Sequence, residues 1–347
     1  MQFDPSHNSD IINYYYTNYS TCPKNPSYFS TWKFLSLFCH ALLIIQTPLI
    51  IFTGYCILTK TPKAMGSLKW AMLNLHFWTT FVDILLCTLS TPYLFFPTLS
   101  GFSIGLLSAI GVPTTVQLYL GIVSIAFLAN SITALFENRS SSFQMNRFRF
   151  ERASTRFAFF FLTAVVFAVI PLPLFFILPE QNSSKFRILV KLKCPTEEFF
   201  EFPVFVLLMS GNLGFLFNLG LAIHWCLTFL PVLFFIFCTT HQIFYSKTGS
   251  YSESTKRLQK IFFIGNLIQI AIPALTWAIP TCVLYIFFWF NYHSQAYNNI
   301  FVAIVCLHGL ASNIAVLTIH HPYRTYIRKL VGVVDVVSAP NSLILTK

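Results

Sequence analysis

The sequence predicts an all-α membrane protein, a bundle of seven transmembrane helices with the N-terminus outside and the C-terminus in the cytoplasm. Three observations lead to this prediction. The 347 residues are 55% hydrophobic and only 10% charged, whereas a soluble domain carries about 25% charged residues. Seven apolar runs are each long enough to cross a hydrocarbon core of roughly 30 Å, which takes about 20 residues per helix. The basic residues concentrate in alternate connecting segments, as they do in membrane proteins.

The seven runs divide the chain into three predicted parts. An extracellular segment covers residues 1–32, a transmembrane domain 33–319 and a cytoplasmic tail 320–347. Because residues 1–32 start with a polar stretch, we expect the first run itself to target the membrane. The predicted spans are 33–58, 70–96, 113–136, 157–178, 204–238, 260–290 and 299–319.

Two of the runs are predicted to be irregular. The fifth is long and contains three glycines, so it is either one tilted helix with an irregular outer portion or a short turn followed by a helix. Pro273 and Pro280 should kink the sixth, because proline removes a backbone hydrogen bond within a helix.

The distribution of basic residues predicts the orientation. Sixteen of the 22 lysines and arginines fall on the side that holds the C-terminus, and cytoplasmic loops carry such an excess. Asn18 and Asn182 begin N-glycosylation sequons on the predicted outer side. Asn138 begins a third sequon on the inner side, which we predict to be unused.

Only two of the nine cysteines are predicted to face the outside. The other seven lie in or beside apolar runs, where cysteine usually serves as a small buried hydrophobic residue. Cys22 and Cys194 share the oxidising side, where disulfides form and persist. We therefore predict a bridge between them; two free thiols are the alternative.

Asp83 is the only acidic residue well inside a predicted span. A carboxylate at membrane depth is costly, so it usually faces the bundle interior and has a partner. One interpretation is a sodium or proton site that shifts the protein between two states. The other is a structural hydrogen bond to polar neighbours. Residues at comparable depth on the third and seventh runs are Asn130, Ser131, Ser312 and Asn313.

Two motifs close the third and seventh runs on the predicted inner side. Glu137 and Arg139 end the third run, and an acid followed by a base suits an ionic latch that opens towards a partner protein. Ordinary basic flanking explains the same residues without a mechanism, and the residues alone favour it. Tyr323 and Arg324 follow Pro322 at the end of the seventh run, where an interfacial anchor is the plainer interpretation. The next segment is predicted to form a short amphipathic surface helix.

Polar and aromatic residues lie in the predicted outer halves of the third and sixth runs. Gln117 and Tyr119 belong to the third, and Trp277, Pro280 and Tyr285 to the sixth. Helix bundles bind small molecules in mostly apolar pockets with a few polar groups, and these residues would line such a pocket. For any single one, packing or lipid contact is the commoner role.

The sequence carries no zincin His-Glu-x-x-His, Cys-x-x-Cys or Walker motif. We therefore expect no catalytic residues, no metal site and no nucleic-acid partner. The expected cofactor content is none, apart from a sodium ion or a proton near Asp83.

Short stretches spread through most of the chain match a known family. They are Gly54–Leu58, Thr61–Lys63, Lys69–Trp78, Thr91–Leu94, Phe96-Pro97, Gly111–Thr114, Phe136–Arg139, Gln269–Pro273, Leu307–Leu310 and His321–Arg324. In these stretches the chain resembles the nematode serpentine receptor class H family of seven-helix chemoreceptors. The resemblance implies a G-protein-coupled receptor in the plasma membrane, trafficked to the sensory cilia of chemosensory neurons.

The resemblance also bears on single residues. It strengthens the latch interpretation of Glu137 and Arg139. Asp83 looks like the second-helix acid of the wider rhodopsin-like receptors. The start of the third run lacks the cysteine that usually bridges to the fourth-to-fifth loop, so Cys22 would take that place opposite Cys194.

Two hypotheses of function follow. The first is a receptor that binds a small-molecule environmental cue between the outer halves of its helices and signals to a heterotrimeric G protein. Its G-protein-facing candidates are Glu137, Arg139, Lys256, Arg257, Tyr323 and Arg324. The alternative is a transporter or ligand-gated channel of the same topology. Its polar path would be lined by Asp83, Asn130, Asn266 and Asn313.

Overall fold

Helices dominate the architecture of the protein, which we describe from a computed structural model. Within the described residues, six helices are long and apolar enough to cross a membrane, and a shorter apolar helix covers Ala153–Val169. The helices that correspond to the seven runs are α2 (Trp32–Lys60), α3 (Gly66–Ile84), α5 (Thr114–Ser141), α6 (Ala153–Val169), α9 (Asn212–Thr240), α10 (Glu253–Trp289) and the pair α11 (Gln295–Cys306) and α12 (His308–Ile319). The structure describes residues 8–23, 26–63, 66–143, 146–176, 178–207, 212–245, 253–290 and 292–332.

Large apolar side chains cover the outside of the bundle. Phe237 on α9 is 69% exposed and Trp289 on α10 is 82% exposed. In water such a surface would be strongly unfavourable, so it is the surface that faces lipid.

The second run departs from the prediction at its end. The helix changes to a π-helical turn at Leu85–Leu89, and a short strand, β1 (Pro92–Leu94), follows. Helix geometry is disfavoured for a residue that precedes proline, and both Thr91 and Phe96 do so. The predicted span 70–96 is therefore helical only as far as Leu89.

Prolines also shorten the fourth run. Helix α6 ends at Val169, and Pro171 begins a 3₁₀ turn at Leu172–Phe175. The fifth run begins with the strand β3 (Phe205–Val206), and α9 follows from Asn212. The sixth remains one helical element through both of its prolines.

The seventh run is divided at Leu307. The backbone N–H of Leu307 donates to the carbonyl of Ile304, three residues back, at 3.1 Å. This 3₁₀ step separates α11 from α12. After the span, α13 (His321–Leu330) carries exposed basic residues, among them Arg324 and Lys329.

One end of the bundle is closed by a structure that we call the cap. It comprises α1 (Ser9–Thr17), α7 (Gln181–Leu192), α8 (Glu198–Glu201) and an antiparallel sheet in which β2 (Ser100–Ser103) lies between β1 and β3. Tyr93 pairs with Phe102 across β1 and β2, and Gly101 pairs with Phe205 across β2 and β3. Phe102 also stacks on Phe202 with ring centroids 4.5 Å apart. An additional short helix, α4 (Leu106–Ala109), connects β2 to α5.

The cap is fastened to the N-terminal segment and to α11. A disulfide joins Cys22 to Cys194, so the structure brings the two outer cysteines together. The amide of Asn299 on α11 donates to the carbonyl of Phe29 at 2.9 Å. We call this the capped end and the opposite one, which holds Arg139, Arg156 and α13, the basic end.

Candidate functional site

A cavity of about 380 Å³ lies inside the capped half of the bundle. Its walls come from the sheet, the start of α5, the middle of α10 and the helix α11. Its size falls within the range of cavities that hold small organic molecules. Residues from these walls include Gln117, Gly121, Trp277, Pro280, Asn298 and Val302.

Three polar atoms in this cavity lining lack a hydrogen-bond partner within the part of the chain that the structure describes. They are Oε1 of Gln117, Oδ1 of Asn298 and Nε1 of Trp277. The Gln117 amide nitrogen is occupied, since it donates to the Ser108 hydroxyl and to the Val112 carbonyl at 3.0 and 2.8 Å. A buried polar atom without a partner is costly, so each of these atoms would be stabilised by a ligand group that reached it.

Asn298 was missed by the sequence reasoning. It is only 2% exposed, and its amide nitrogen donates to the carbonyls of Leu94 and Phe96 at 3.3 and 3.2 Å. Its position near the start of an apolar run was the only available signal. The carbonyls of Leu94 in β1 and of Phe96 just after it therefore hold the amide nitrogen of Asn298 in place.

Two predicted lining residues lie elsewhere. The Tyr119 hydroxyl donates to the Ala168 carbonyl on α6 at 2.8 Å, and Tyr285 is 58% exposed on the outside of α10. Residues two apart on a helix point in nearly opposite directions, so Tyr119 cannot share a face with Gln117. Of the predicted group, the structure brings Gln117, Trp277 and Pro280 together at the cavity.

Asp83 lies in a fully buried polar cluster with His308. Both side chains are 0% exposed, and Nδ1 of His308 is 3.2 Å from Oδ1 of Asp83. The same nitrogen donates to the Val305 carbonyl at 3.0 Å, which leaves both Asp83 oxygens without a hydrogen bond from the described residues. Gly309 permits this approach, because a Cβ at that position would overlap the carboxylate.

The predicted neighbours of Asp83 occupy other places. Asn130 accepts a hydrogen bond from Thr163 on α6 at 3.2 Å, so it faces away from the second and seventh spans. Asn313 donates to the Gly309 carbonyl of its own helix at 2.8 Å, one turn from Asp83. The partner that the sequence reasoning missed is His308, a polar residue in an apolar run. Trp277 connects this cluster to the cavity, since its ring packs edge-on against His308 at 5.7 Å.

At the basic end Glu137 pairs with Arg156, and not with Arg139. Glu137 is fully buried, and Nε of Arg156 on α6 donates to its Oε2 at 2.5 Å. The other carboxylate oxygen accepts from the Ser141 hydroxyl at 2.6 Å. The predicted local latch was therefore wrong in its partner. Glu137 and Arg139 are two residues apart and project from different sides of α5.

Arg139 occupies a separate, half-buried position. Its guanidinium lies 5.2 Å from the centroid of the Phe262 ring on α10, a cation–π contact. Nε and Nη2 have no hydrogen-bond partner among the residues described. The guanidinium is thus held between α5 and α10, and these two nitrogens are themselves buried.

The remaining predicted contacts at this end differ in exposure. Arg257 and Arg324 are exposed, whereas Tyr323 is 1% exposed and its hydroxyl lies 2.7 Å from that of Thr61 on α2. Tyr323 therefore packs α13 against the bundle and presents no surface to a partner. The side chain of Lys256 lies outside the described part of the structure.

The two sequon asparagines at the capped end, Asn18 and Asn182, are both exposed.

The chain also contains a Gly-x-Ser-x-Gly pattern at Gly101–Gly105, which is typical of hydrolases. Here the Ser103 hydroxyl lies 3.2 Å from that of Ser90. No histidine among the described residues hydrogen-bonds Ser103, so the pattern lacks the base that a nucleophile needs.

His293 makes the cap sensitive to pH. Its Nδ1–H donates to the Phe96 carbonyl at 2.6 Å, and burial lowers the pKa of His293 below its ordinary 6.5. The folded protein then binds this proton less readily than the unfolded chain does. Its contribution to stability is complete above pH 6.5 and is lost as the pH falls from there through the folded-state pKa.

We expect the melting temperature of the purified protein to fall between about pH 7.5 and about pH 5.5, and to fall less in His293→Gln. His321→Gln, which replaces an exposed histidine, is the control and should show the same change in melting temperature with pH as the wild type. Equal pH dependence in all three proteins would contradict this role of His293.

Comparison with known proteins identifies the family of the chain. The family described as serpentine type 7TM GPCR chemoreceptor Srh matches residues 30–333. The chain is also 33% identical over 327 residues to serpentine receptor class H-72 of Caenorhabditis elegans, covering 93% of both chains. The family match confirms the predicted resemblance, the multi-pass membrane character and the seven-helix fold class. The chain belongs to the Srh family of serpentine seven-transmembrane chemoreceptors, a class of GPCR-like chemosensory receptors and not of enzymes.

Proposed function

We propose that this chemoreceptor binds a small-molecule environmental cue in the cavity of the capped half and signals to a heterotrimeric G protein at the basic end. The observation that supports the proposal most directly is the cavity of about 380 Å³ with three unpartnered polar atoms in its wall. A mostly apolar pocket with few polar groups is the usual form of a small-molecule site.

The unpartnered atoms narrow the chemistry of the cue. Oε1 of Gln117 and Oδ1 of Asn298 accept hydrogen bonds, and Nε1 of Trp277 donates one. A small, largely apolar molecule with a hydroxyl or N–H group and one acceptor would satisfy them. A pure hydrocarbon would leave all three atoms unpaired and should bind more weakly.

The Asp83 cluster supplies a candidate switch. We propose that a sodium ion or a proton at the carboxylate favours one arrangement of α3 and α12. The ligand-facing Trp277 packs against His308 and so connects this cluster to the cavity. A bound cue that moves Trp277 would alter the surroundings of Asp83 and so shift the population of states.

The proposed output surface is the basic end. Arg139, with unpartnered donors, and the exposed Arg257 and Arg324 would meet an acidic surface of the G protein. This proposal requires the basic end to be cytoplasmic and the cap to be extracellular, with glycans on Asn18 and Asn182. The proposed location is the plasma membrane, in the sensory cilium.

The test is a signalling assay in cells that display the receptor at their surface. A panel of small cues would be scored by a G-protein dissociation signal. We expect a dose-dependent response whose half-maximal concentration rises about tenfold or more in Gln117→Leu and Asn298→Leu, the loss of one hydrogen bond to a buried group. Tyr285→Phe, outside the cavity, is the matched control and should respond normally.

Two further variants separate binding from coupling. Arg139→Ala should bind the cue but lose the G-protein signal, while Asp83→Asn should abolish any sodium dependence of the response. Normal signalling by Arg139→Ala at normal surface expression would remove that residue from the proposed interface. A response that is unchanged in Gln117→Leu and Asn298→Leu would argue against the cavity as the site of the cue.

The transporter or channel alternative receives no comparable support. Asn130 and Asn313 were predicted to line its polar path, but Asn130 bonds to α6 and Asn313 to its own helix. Asn266 is buried with an unpartnered side chain, which alone makes no path.

A further inference from the structure

We infer that Cys39, Cys87 and Cys306 form a binding site for monovalent copper between the first, second and seventh spans. The three Sγ atoms all lie within 4.8 Å of one another, and those of Cys39 and Cys306 are 3.9 Å apart. Each side chain is 0% exposed. The sequence analysis treated all three as separate buried hydrophobic residues, because they are far apart along the chain.

The spacing of the sulfurs fits a metal at their centre. Three sulfurs bound in a plane at about 2.3 Å from a metal lie about 4.0 Å from one another. The distance of 3.9 Å between the sulfurs of Cys39 and Cys306 already has this value. The other two distances are at most 4.8 Å and need only a small contraction. Three thiol-sized residues that merely packed together would not need their sulfur atoms to converge.

The number and type of ligands favour monovalent copper over zinc. Thiolates select soft ions, Cu(I) and Zn²⁺ among them, but structural zinc is almost always four-coordinate. The cluster offers three ligands within the described residues. Cysteine binds a metal as the thiolate, so filling the site would release the three thiol protons to solvent.

The backbone around the cluster supports a built site. Cys87 lies in the π-helical turn of the second span, and Cys306 immediately precedes the 3₁₀ step at Leu307 in the seventh. Such departures from the α-helix are frequent at functional sites. Both irregularities lie against α2, which carries Cys39. The inference does not depend on the proposed cue or on coupling to a G protein.

The experiment uses the full chain, purified in lipid nanodiscs under reducing, anaerobic conditions. Cu(I) would be supplied from a competing chelator of known affinity. We expect one copper per chain in the wild type and at least a tenfold weaker retention in Cys87→Ala and Cys306→Ala. Cys56→Ala is the matched control, since Cys56 is equally buried but lies outside the cluster.

A second measurement avoids substitutions that unfold the protein. X-ray absorption of the copper-loaded wild type should show three sulfur neighbours at about 2.3 Å. A wild type that retains no copper would overturn the inference. So would copper bound mainly by nitrogen or oxygen, or a Cys39–Cys306 disulfide in the protein isolated without added oxidant.

Discussion

Replacing Cys22 by serine is expected to lower the free energy of unfolding by about 2–4 kcal/mol and to reduce the amount of receptor at the cell surface. The disulfide with Cys194 closes a loop across a sequence separation of 172 residues. For a free chain, loop-closure entropy over that length would correspond to about 5 kcal/mol. We expect less because the bilayer already confines the helices within the loop when tertiary contacts are lost.

The measurement is the melting temperature of the purified protein, together with surface expression. Cys194→Ser should match Cys22→Ser, and the double variant should be no worse than either, because all three remove the same bond. Cys226→Ser is the control, since Cys226 is exposed and unpaired. An unchanged melting temperature in Cys22→Ser would show that the hydrogen bonds and ring packing of the cap suffice without the bridge.

The second large effect concerns the ion pair at the basic end. We expect Arg156→Ala to cost about 2–4 kcal/mol, because it leaves the fully buried carboxylate of Glu137 without its counter-charge. We expect a cost below the upper end of the range for fully buried ion pairs, because the Arg156 side chain is 34% exposed. The double variant Glu137→Gln/Arg156→Ala should recover much of the loss, because a neutral amide tolerates burial better than a lone carboxylate.

A matched control lies seven residues earlier in the chain. Arg149 pairs with Glu151 at 3.2 Å, with 74% of the Glu151 side chain exposed, so Arg149→Ala should cost at most about 0.5 kcal/mol. The three proteins would be compared by thermal unfolding. If the double variant were less stable than Arg156→Ala, the burial of an unpaired charge would not be the cause.

The gross architecture could be predicted because solvent determines it. A helix that faces lipid must be apolar along its length, and that requirement is visible in any window of about 20 residues. The cysteine pairing was accessible for a related reason, since only Cys22 and Cys194 were predicted to share the oxidising side. Family membership could be read from short stretches spread through the chain.

The details of the site depend on directions that a list of residues does not contain. Gln117 and Tyr119, like Glu137 and Arg139, are neighbours in sequence but are separated by about 200° around their helix. Arg156, which pairs with Glu137 in place of Arg139, comes from α6. Asn298, which lines the cavity together with Gln117, comes from α11. His308 meets Asp83 only because Gly309 leaves room for the carboxylate against α12, which is a tertiary property.

The π-helical turn at Leu85–Leu89 also affects how this chain should be aligned with its relatives. A π turn takes up one residue more than the α-helical turn that it replaces, so the residues after it are offset by one position. A relative with a regular second helix would need a one-residue gap within this turn. Placing that gap elsewhere would align Asp83 or Cys87 with the wrong residue of the relative and would hide any correspondence at that position.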